Sequence, residues 1–333
     1  MLDPVLAAVI FLIVMALAFD FINGFHDAAN SISCIVSTRV LSPKHAVYWA
    51  AFFNFIAAFI VGTPVAKTIG VGIIDPVIID YEILLCALMA AIAWNLITWW
   101  FGLPSSSSHA LIGGLIGAGL AKGGMWVLVW PGIIKTASFI ILSPTIGFVL
   151  GFLYMMTVLN LTRTFTVTEG NSLFRRLQLV SSAIHSMGHG MNDAQKTMGI
   201  ITMVLFSSGY LHGDFHVPLW VVFACYITIA AGTMAGGWRI VKTMGTKITK
   251  LHPMGGFCAE TAAASSLIGA TLFGIPVSTT HTITGAIMGV GATRRVTAVR
   301  WGVAGNILWA WFLTIPVSAL IAALAYVVSL ELR

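Results

Sequence analysis

Apolar residues fill this chain in long runs, separated by short polar stretches rich in glycine, proline and charge. A helix needs about 20 mostly apolar residues to cross a bilayer. The pattern predicts ten helical spans, at residues 5–37, 45–66, 83–101, 109–121, 135–159, 178–207, 217–237, 257–273, 281–292 and 301–329. The spans at 109–121 and 281–292 are short. The first span is expected to break at Asn23-Gly24, and the sixth between Gly188 and Asp193. A polar link at 160–177, carrying Arg163, Glu169, Arg175 and Arg176, separates a first half, 1–159, from a second, 178–333.

Charge orients these spans. Cytoplasmic loops should be the basic ones. With the N-terminus outside, the inner loops hold Arg39 and Lys44, the arginines of the link, Arg239, Lys242, Lys247 and Lys250, and then Arg294, Arg295 and Arg300. These are most of the 17 lysines and arginines. The outer loops hold Lys67, Lys122, Lys135, Asp75, Asp80, Glu82 and Asp214. Trp49, Trp99, Trp100, Trp126, Trp130, Trp220, Trp238 and Trp301 lie near predicted span ends, as an interfacial belt requires. Five spans per half is an odd number, so the second half should run inverted relative to the first. Inverted repeats with broken helices near the midplane are an architecture of secondary transporters.

Composition excludes a soluble domain: 58% of the 333 residues are hydrophobic and only 8% are charged. Soluble domains carry about 25% charged residues. The net charge of +6 then belongs to basic loops beside a membrane and not to a nucleic-acid surface. Cys34, Cys86, Cys225 and Cys258 are scattered through apolar runs, with no spacing that suggests disulfides or zinc. The opening Met1-Leu-Asp-Pro lacks the positive stretch of a signal peptide, so the first run is expected to be a retained span.

The two polar interruptions match each other. Asn23-Gly-Phe-His-Asp-Ala-Ala-Asn30 aligns with His189-Gly-Met-Asn-Asp-Ala-Gln-Lys196 at an offset of 166 residues. A second pair, Gly102-Leu-Pro-Ser-Ser-Ser-Ser-His109 and Gly274-Ile-Pro-Val-Ser-Thr-Thr-His281, aligns at an offset of 172. That match extends through Gly113, Gly117 and Gly119 to Gly285, Gly289 and Gly291, and through Pro144 to Pro316. The glycine pairs are read as close helix packing.

Each segment suggests a chemistry. Ser105, Ser106, Ser107 and Ser108, and Ser278, Thr279 and Thr280, follow prolines where helices should start. Free N–H groups and hydroxyls at two facing helix N-termini would make a donor cage for a tetrahedral oxyanion. Ordinary N-capping is the alternative use of the same residues. Asp27 and Asp193 could coordinate a cation, or accept a proton shared with a protonated oxyanion. Asn23, Asn30 and Asn192 offer amide oxygens and N–H groups. Lys196 either attracts the anion or neutralises one of the aspartates. His185, His189 and Asp193 fall at i, i+4 and i+8, a metal-ligand spacing. The expected break at Gly188 and Gly190, and the missing counterpart in the first half, argue against that trio. His109 and His281 are expected to orient the hydroxyl loops, and His26, His109 or His281 could handle protons. Glu260 and Asp20 are further acids within spans, and Glu260, which has no acidic counterpart, is either a proton or ion site or a protonated, hydrogen-bonded structural carboxyl.

The two knots and the two hydroxyl segments closely resemble the paired signatures of the inorganic phosphate transporter (PiT) family, in its bacterial low-affinity permease form. The resemblance covers essentially the whole chain. It implies an all-α polytopic membrane protein of two inverted repeats, about five helices each, with broken and re-entrant segments meeting near the midplane. It implies a symporter of inorganic phosphate with Na+ or H+ and no cofactor, in a prokaryotic plasma membrane, commonly a homodimer among lipids and with no nucleic-acid partner. Phosphate is then assigned to Asp27, Asn30, Ser105 to Ser108, Asp193, Lys196 and Ser278 to Thr280. The coupling cation is assigned to Asn23, Asp27, Asn192, Asp193 and Glu260, with no metal centre. Many sodium-coupled members read Gly-Ala-Asn-Asp-Val-Ala-Asn in both knots. Here His26 and Gln195-Lys196 depart from that pattern, which resembles the bacterial type linked to proton coupling or metal-phosphate uptake.

Three rivals remain at this point. A sulfate permease of the same fold would meet repulsion from Asp27 and Asp193, because sulfate has no proton to share. An anion channel would not need paired carboxylates. A metal-dependent intramembrane hydrolase using His185, His189 and Asp193 would not need the mirrored knot.

Overall fold

The structure is a computed structural model that describes residues 3–60 and 62–331. Met1 and Leu2, at the start of the stretch read as lacking a signal peptide's positive charge, lie outside the described residues, as do Val61, Leu332 and Arg333. Twelve α-helices are found among the described residues. In chain order, α1 is Pro4–Ser37, α2 Pro43–Ile56, α3 Pro64–Val71, α4 Tyr81–Phe101, α5 Ser107–Gly123 and α6 Trp130–Leu161. The second half holds α7 Val167–Ser207, α8 Leu219–Ala235, α9 Trp238–Lys242, α10 Pro253–Leu272, α11 Thr279–Ala292 and α12 Trp301–Glu331.

Both polar knots lie inside unbroken helices. Asn23 and Gly24 continue α1, and Gly188 to Asp193 continue α7, so the breaks expected there do not occur. The glycines serve close approach instead. A Cβ on Gly24 would lie 2.3 Å from the Ile229 carbonyl oxygen, and one on Gly190 would lie 2.7 Å from that of Asn54. Each knot helix thus crosses a helix of the opposite half backbone against backbone. The bends fall elsewhere: 85° between the α2 unit and α3, and 62° between α8 and the α9 unit that ends at Lys247.

By length and composition five helices can cross a membrane, or seven when each bent pair counts as one span. Each of the ten predicted spans nevertheless falls on a helix, with 45–66 on the bent α2 and α3 pair and 217–237 on α8. Helix α7 is the instructive case: it has 41 residues, and everything from Gly188 to Leu205 is buried. The polar knot and the charged first turns lower its mean hydropathy, so it is less apolar than the helices that pass by composition alone. The expected polar link is also mostly helix. Thr166 opens α7 by accepting from the Glu169 N–H at 3.3 Å, while the Glu169 carboxylate accepts from the Thr166 N–H at 2.9 Å. This capping box carries α7 well beyond the apolar run. The Thr166 hydroxyl, then its N–H, hold the Glu169 carboxyl below its ordinary pKa.

Helices α4 and α5 form a hairpin, and so do α10 and α11. The α4–α5 hairpin starts and ends at one end of the molecule, where Lys122 bonds Asp80 at 2.5 Å. The α10–α11 hairpin starts and ends at the other, where the Arg300 N–H donates to the Ile248 carbonyl at 2.9 Å. Gly102 and Gly274 end the first arm of each hairpin at φ 64° and 63°, a left-handed turn that favours glycine. Contacts exchange between the halves: α5 packs on α12 and α11 on α6, while α1 packs on α8 and α7 on α2. The larger apolar core packs the N-terminal part of α1 with α3, α4, α5 and the end of α7. A second packs the C-terminal part of α1 with α2, α10 and α11. The knots and hairpin tips lie between these two cores.

Candidate functional site

The knot helices α1 and α7 present their polar groups to the two hairpin tips. Ser106 caps α5 by accepting from the His109 N–H at 3.2 Å, and Ser278 caps α11 by accepting from the His281 N–H at 3.2 Å. The capping use of these residues is therefore real. It is also what places Ser107, Ser108, Thr279 and Thr280 in the first turns of α5 and α11.

Repeat-related residues make repeat-related contacts. Asn30 Nδ2 donates to Thr279 Oγ1 and Thr280 Oγ1 at 3.0 Å each. Its counterpart Lys196 donates to Ser108 Oγ in the opposite hairpin, to Asp193 Oδ1, and to the Val277 carbonyl at 3.0 Å. Lys196 is thus paired with Asp193, a contact that fits one of the two roles expected for it. Thr279 Oγ1 in turn donates to Asp193 Oδ2 at 3.1 Å, so one hydroxyl ties the two knots together. His26 and Asn192 form the next pair, each gripping the hairpin of its own half. His26 Nε2 lies 3.1 Å from Thr98 Oγ1, and Ser105 Oγ donates to Thr98 Oγ1 at 2.8 Å. Asn192 Nδ2 donates to Thr271 Oγ1 at 3.0 Å and to the Ile275 carbonyl at 3.2 Å.

At the centre, single ligand atoms of Asp27, His189 and Asp193 all lie within 4.8 Å of one another. His26 Nδ1 lies 2.6 Å from Asp27 Oδ1, and His189 Nε2 lies 3.1 Å from Asp193 Oδ2. This set can hold a cation. It shares His189 and Asp193 with the trio that the sequence argued against, but has Asp27 from the other half in place of His185. His185 is buried with neither ring nitrogen hydrogen-bonded among the described residues. No knot or hydroxyl-cluster residue named here is more than 3% exposed, so the centre is closed from both ends.

Some expected residues lie apart. Glu260 accepts from Ser181 Oγ at 2.7 Å and from Gln178 Nε2 at 3.3 Å, in a separate polar cluster that Thr38 completes through Gln178. Asn23 is buried, but its Oδ1 has no partner among the described residues. The His109 and His281 rings meet each other edge-on at 4.8 Å, and His281 stacks on Trp311 at 3.9 Å. They cap the hairpins through their backbones, while their rings pack at the interface of the halves. Two contributors escaped the sequence reading. Thr98 and Thr271 carried no signal beyond being polar in apolar runs. Gln195 stood out as a departure from the knot pattern, and its use is now visible: Oε1 accepts from the Val65 N–H at 2.8 Å, at the start of α3.

Residues 23–322 match the phosphate transporter family, a segment that begins at the first knot and includes the second and both hairpin tips. The chain belongs to the phosphate transporter family. It is a family of transporters, and the long apolar helices make this chain an integral membrane protein. It is similar to a probable low-affinity inorganic phosphate transporter of Rhizobium meliloti, 63% identical over 95% of this chain and 94% of the relative. It is also similar to a probable low-affinity inorganic phosphate transporter of Bacillus subtilis, 47% identical over 98% of each chain. Among solved structures it resembles one described as the sodium-dependent phosphate transporter, with a TM-score of 0.87 and 26% identity over 98% of this chain and 99% of that one.

Proposed function

We propose that the protein imports inorganic phosphate by symport with a cation, through alternating access. One observation carries the reading. Two hairpin tips, one from each half, bring helix N-termini and hydroxyls against the paired aspartates in a closed, buried centre. The N-termini and hydroxyls at Ser105 to Ser108 and Ser278 to Thr280 would hold phosphate oxygens, with Asn30 and Lys196 beside them. Asp27 and Asp193, with His189, would take the coupling cation or share a proton with the anion. Asn23, Asn192 and Glu260 remain assigned to the cation side by sequence, with Glu260 the farthest removed by its bonds to Ser181 and Gln178.

The exchanged packing of α5 with α12 and α11 with α6 supports two inverted halves, 1–159 and 178–333, joined by 160–177. The basic residues around Arg39, Arg175 and Arg294 support a cytoplasmic location for that end and an outside N-terminus in a prokaryotic plasma membrane. The homodimer is carried by resemblance alone. The solved relative's description speaks for sodium, while His26 and Gln195-Lys196 speak for a proton.

The test is labelled-phosphate uptake into liposomes, comparing inward Na+ and H+ gradients, with and without excess sulfate, for wild type, Asp27→Asn and Asp193→Asn. Uptake driven by one gradient, indifferent to sulfate and lost in both variants, establishes the symporter. Direct sulfate uptake moves it to a sulfate permease. Flux indifferent to both gradients and to both substitutions leaves a channel.

A further inference from the structure

Asp20 lies seven residues before Asp27 on α1 and is fully buried. Its Oδ1 accepts from Thr197 Oγ1 at 2.8 Å. Its Oδ2 is buried and has no hydrogen-bond partner among the described residues. No ion pair reaches it there. Lys196, beside Thr197 in sequence, is engaged by Asp193, Ser108 and Val277. The titratable groups whose charge reaches Asp20, or that feel its charge, are Asp193 on α7 and Cys225 and Tyr226 on α8. None of them is a cation. The Tyr226 hydroxyl is itself buried without a partner among the described residues.

From this arrangement we propose that Asp20 is a second coupling site, a carboxyl that takes up and releases the proton accompanying phosphate. The proposal rests on the symport reading above and names its ion. An ionised carboxylate buried without a cation is strongly disfavoured, and taking a proton removes that penalty. A protonated Oδ2 also becomes a donor. A hard cation takes about six or more oxygens, whereas the oxygens that meet at Asp20 among the described residues are its own two and Thr197 Oγ1. The repeat counterpart of Asp20, at the same offset of 166, is Ser186. The carboxyl therefore lies outside the mirrored cage and adds a function the cage lacks.

Coupling follows from position. Thr197 joins Asp20 to the turn of α7 that carries Lys196 and Asp193. With Asp20 neutral, Asp193 keeps its ion pair with Lys196 undisturbed. With Asp20 ionised, two like charges face each other in an apolar setting, and the closed centre loses stability. The proton arrives from water at the outer end and leaves to water at the inner end, so one crosses with each cycle and none is consumed.

The experiment uses the full chain in liposomes, as wild type, Asp20→Asn and Asp20→Glu. Phosphate exchange at equal phosphate and equal pH on both sides is compared with accumulation under an inward H+ gradient, with a trapped pH dye reporting proton entry. The expected result is that Asp20→Asn keeps exchange but loses both accumulation and dye acidification. Asp20→Glu should keep accumulation, with its pH profile displaced. Accumulation by Asp20→Asn at the wild-type level overturns the proposal. So does loss of exchange in Asp20→Asn that Asp20→Glu does not restore, which would mark a packing role. Accumulation driven by Na+ alone and lost in Asp20→Asn overturns the proton in favour of sodium. Absence of phosphate exchange in wild type would instead overturn the symport reading beneath it.

Discussion

Thr68 donates its hydroxyl to the carbonyl oxygen of Gly274 at 2.7 Å. The mirror contact is Thr243 to Gly102, at 2.9 Å. Each threonine lies just past a bend, on α3 or in the helical turn after α9, and each grips the hairpin tip of the opposite half. The two bonds therefore latch the centre at opposite ends. A neutral hydrogen bond is worth about 1 kcal/mol, or about fivefold in a two-state population. Thr68→Val should raise labelling of a cysteine placed by Ser107→Cys when reagent is added outside, and Thr243→Val when it is added inside. The assay replaces the four native cysteines with alanine. Equal labelling from both sides in both variants would refute the assignment.

Lys196 and Asp193 form an ion pair buried in the closed centre. Removing one member of a buried pair costs about 3–5 kcal/mol. Lys196→Met should therefore lower Tm in detergent sharply. The double variant Lys196→Met with Asp193→Asn should regain most of the loss while phosphate uptake stays abolished. A double variant as unstable as the single one would show that the lysine stem, and not its charge, matters.

Asp27 and Glu260 were grouped by sequence but are separated in space. Asp27→Asn should abolish phosphate uptake. Glu260→Gln, whose amide can still bond Ser181, should leave the KM for phosphate near wild type. A large rise in KM for Glu260→Gln would place that carboxyl back at the anion site.

Gly24 and Gly190 meet backbone oxygens at 2.3 and 2.7 Å from a would-be Cβ, and backbone cannot swing aside. Overpacking of this kind costs about 1–3 kcal/mol. Gly24→Ala should lower Tm more than Gly190→Ala, because its contact is tighter. Gly305→Ala, with open space around it, should be silent in the same melt.

By itself the sequence determined that the chain is helical and membrane-embedded, because apolar runs of spanning length admit few other solutions. It also determined the two repeats, since Asp27 and Asp193, and the hydroxyls after Pro104 and Pro276, stand out wherever polarity is expensive. It misplaced the helix breaks. Glycine beside polar residues reads as a break, yet in α1 and α7 it marks a backbone crossing, and only a neighbouring helix reveals the difference. Tertiary structure alone decided that Asp27 and not His185 joins His189 and Asp193, that Lys196 answers Asp193, that Glu260 stands apart and that Asp20 is left with a bare oxygen. The reason is physical. Periodicity along one helix says which residues share a face, but burial and charge pairing depend on which face of another helix arrives opposite.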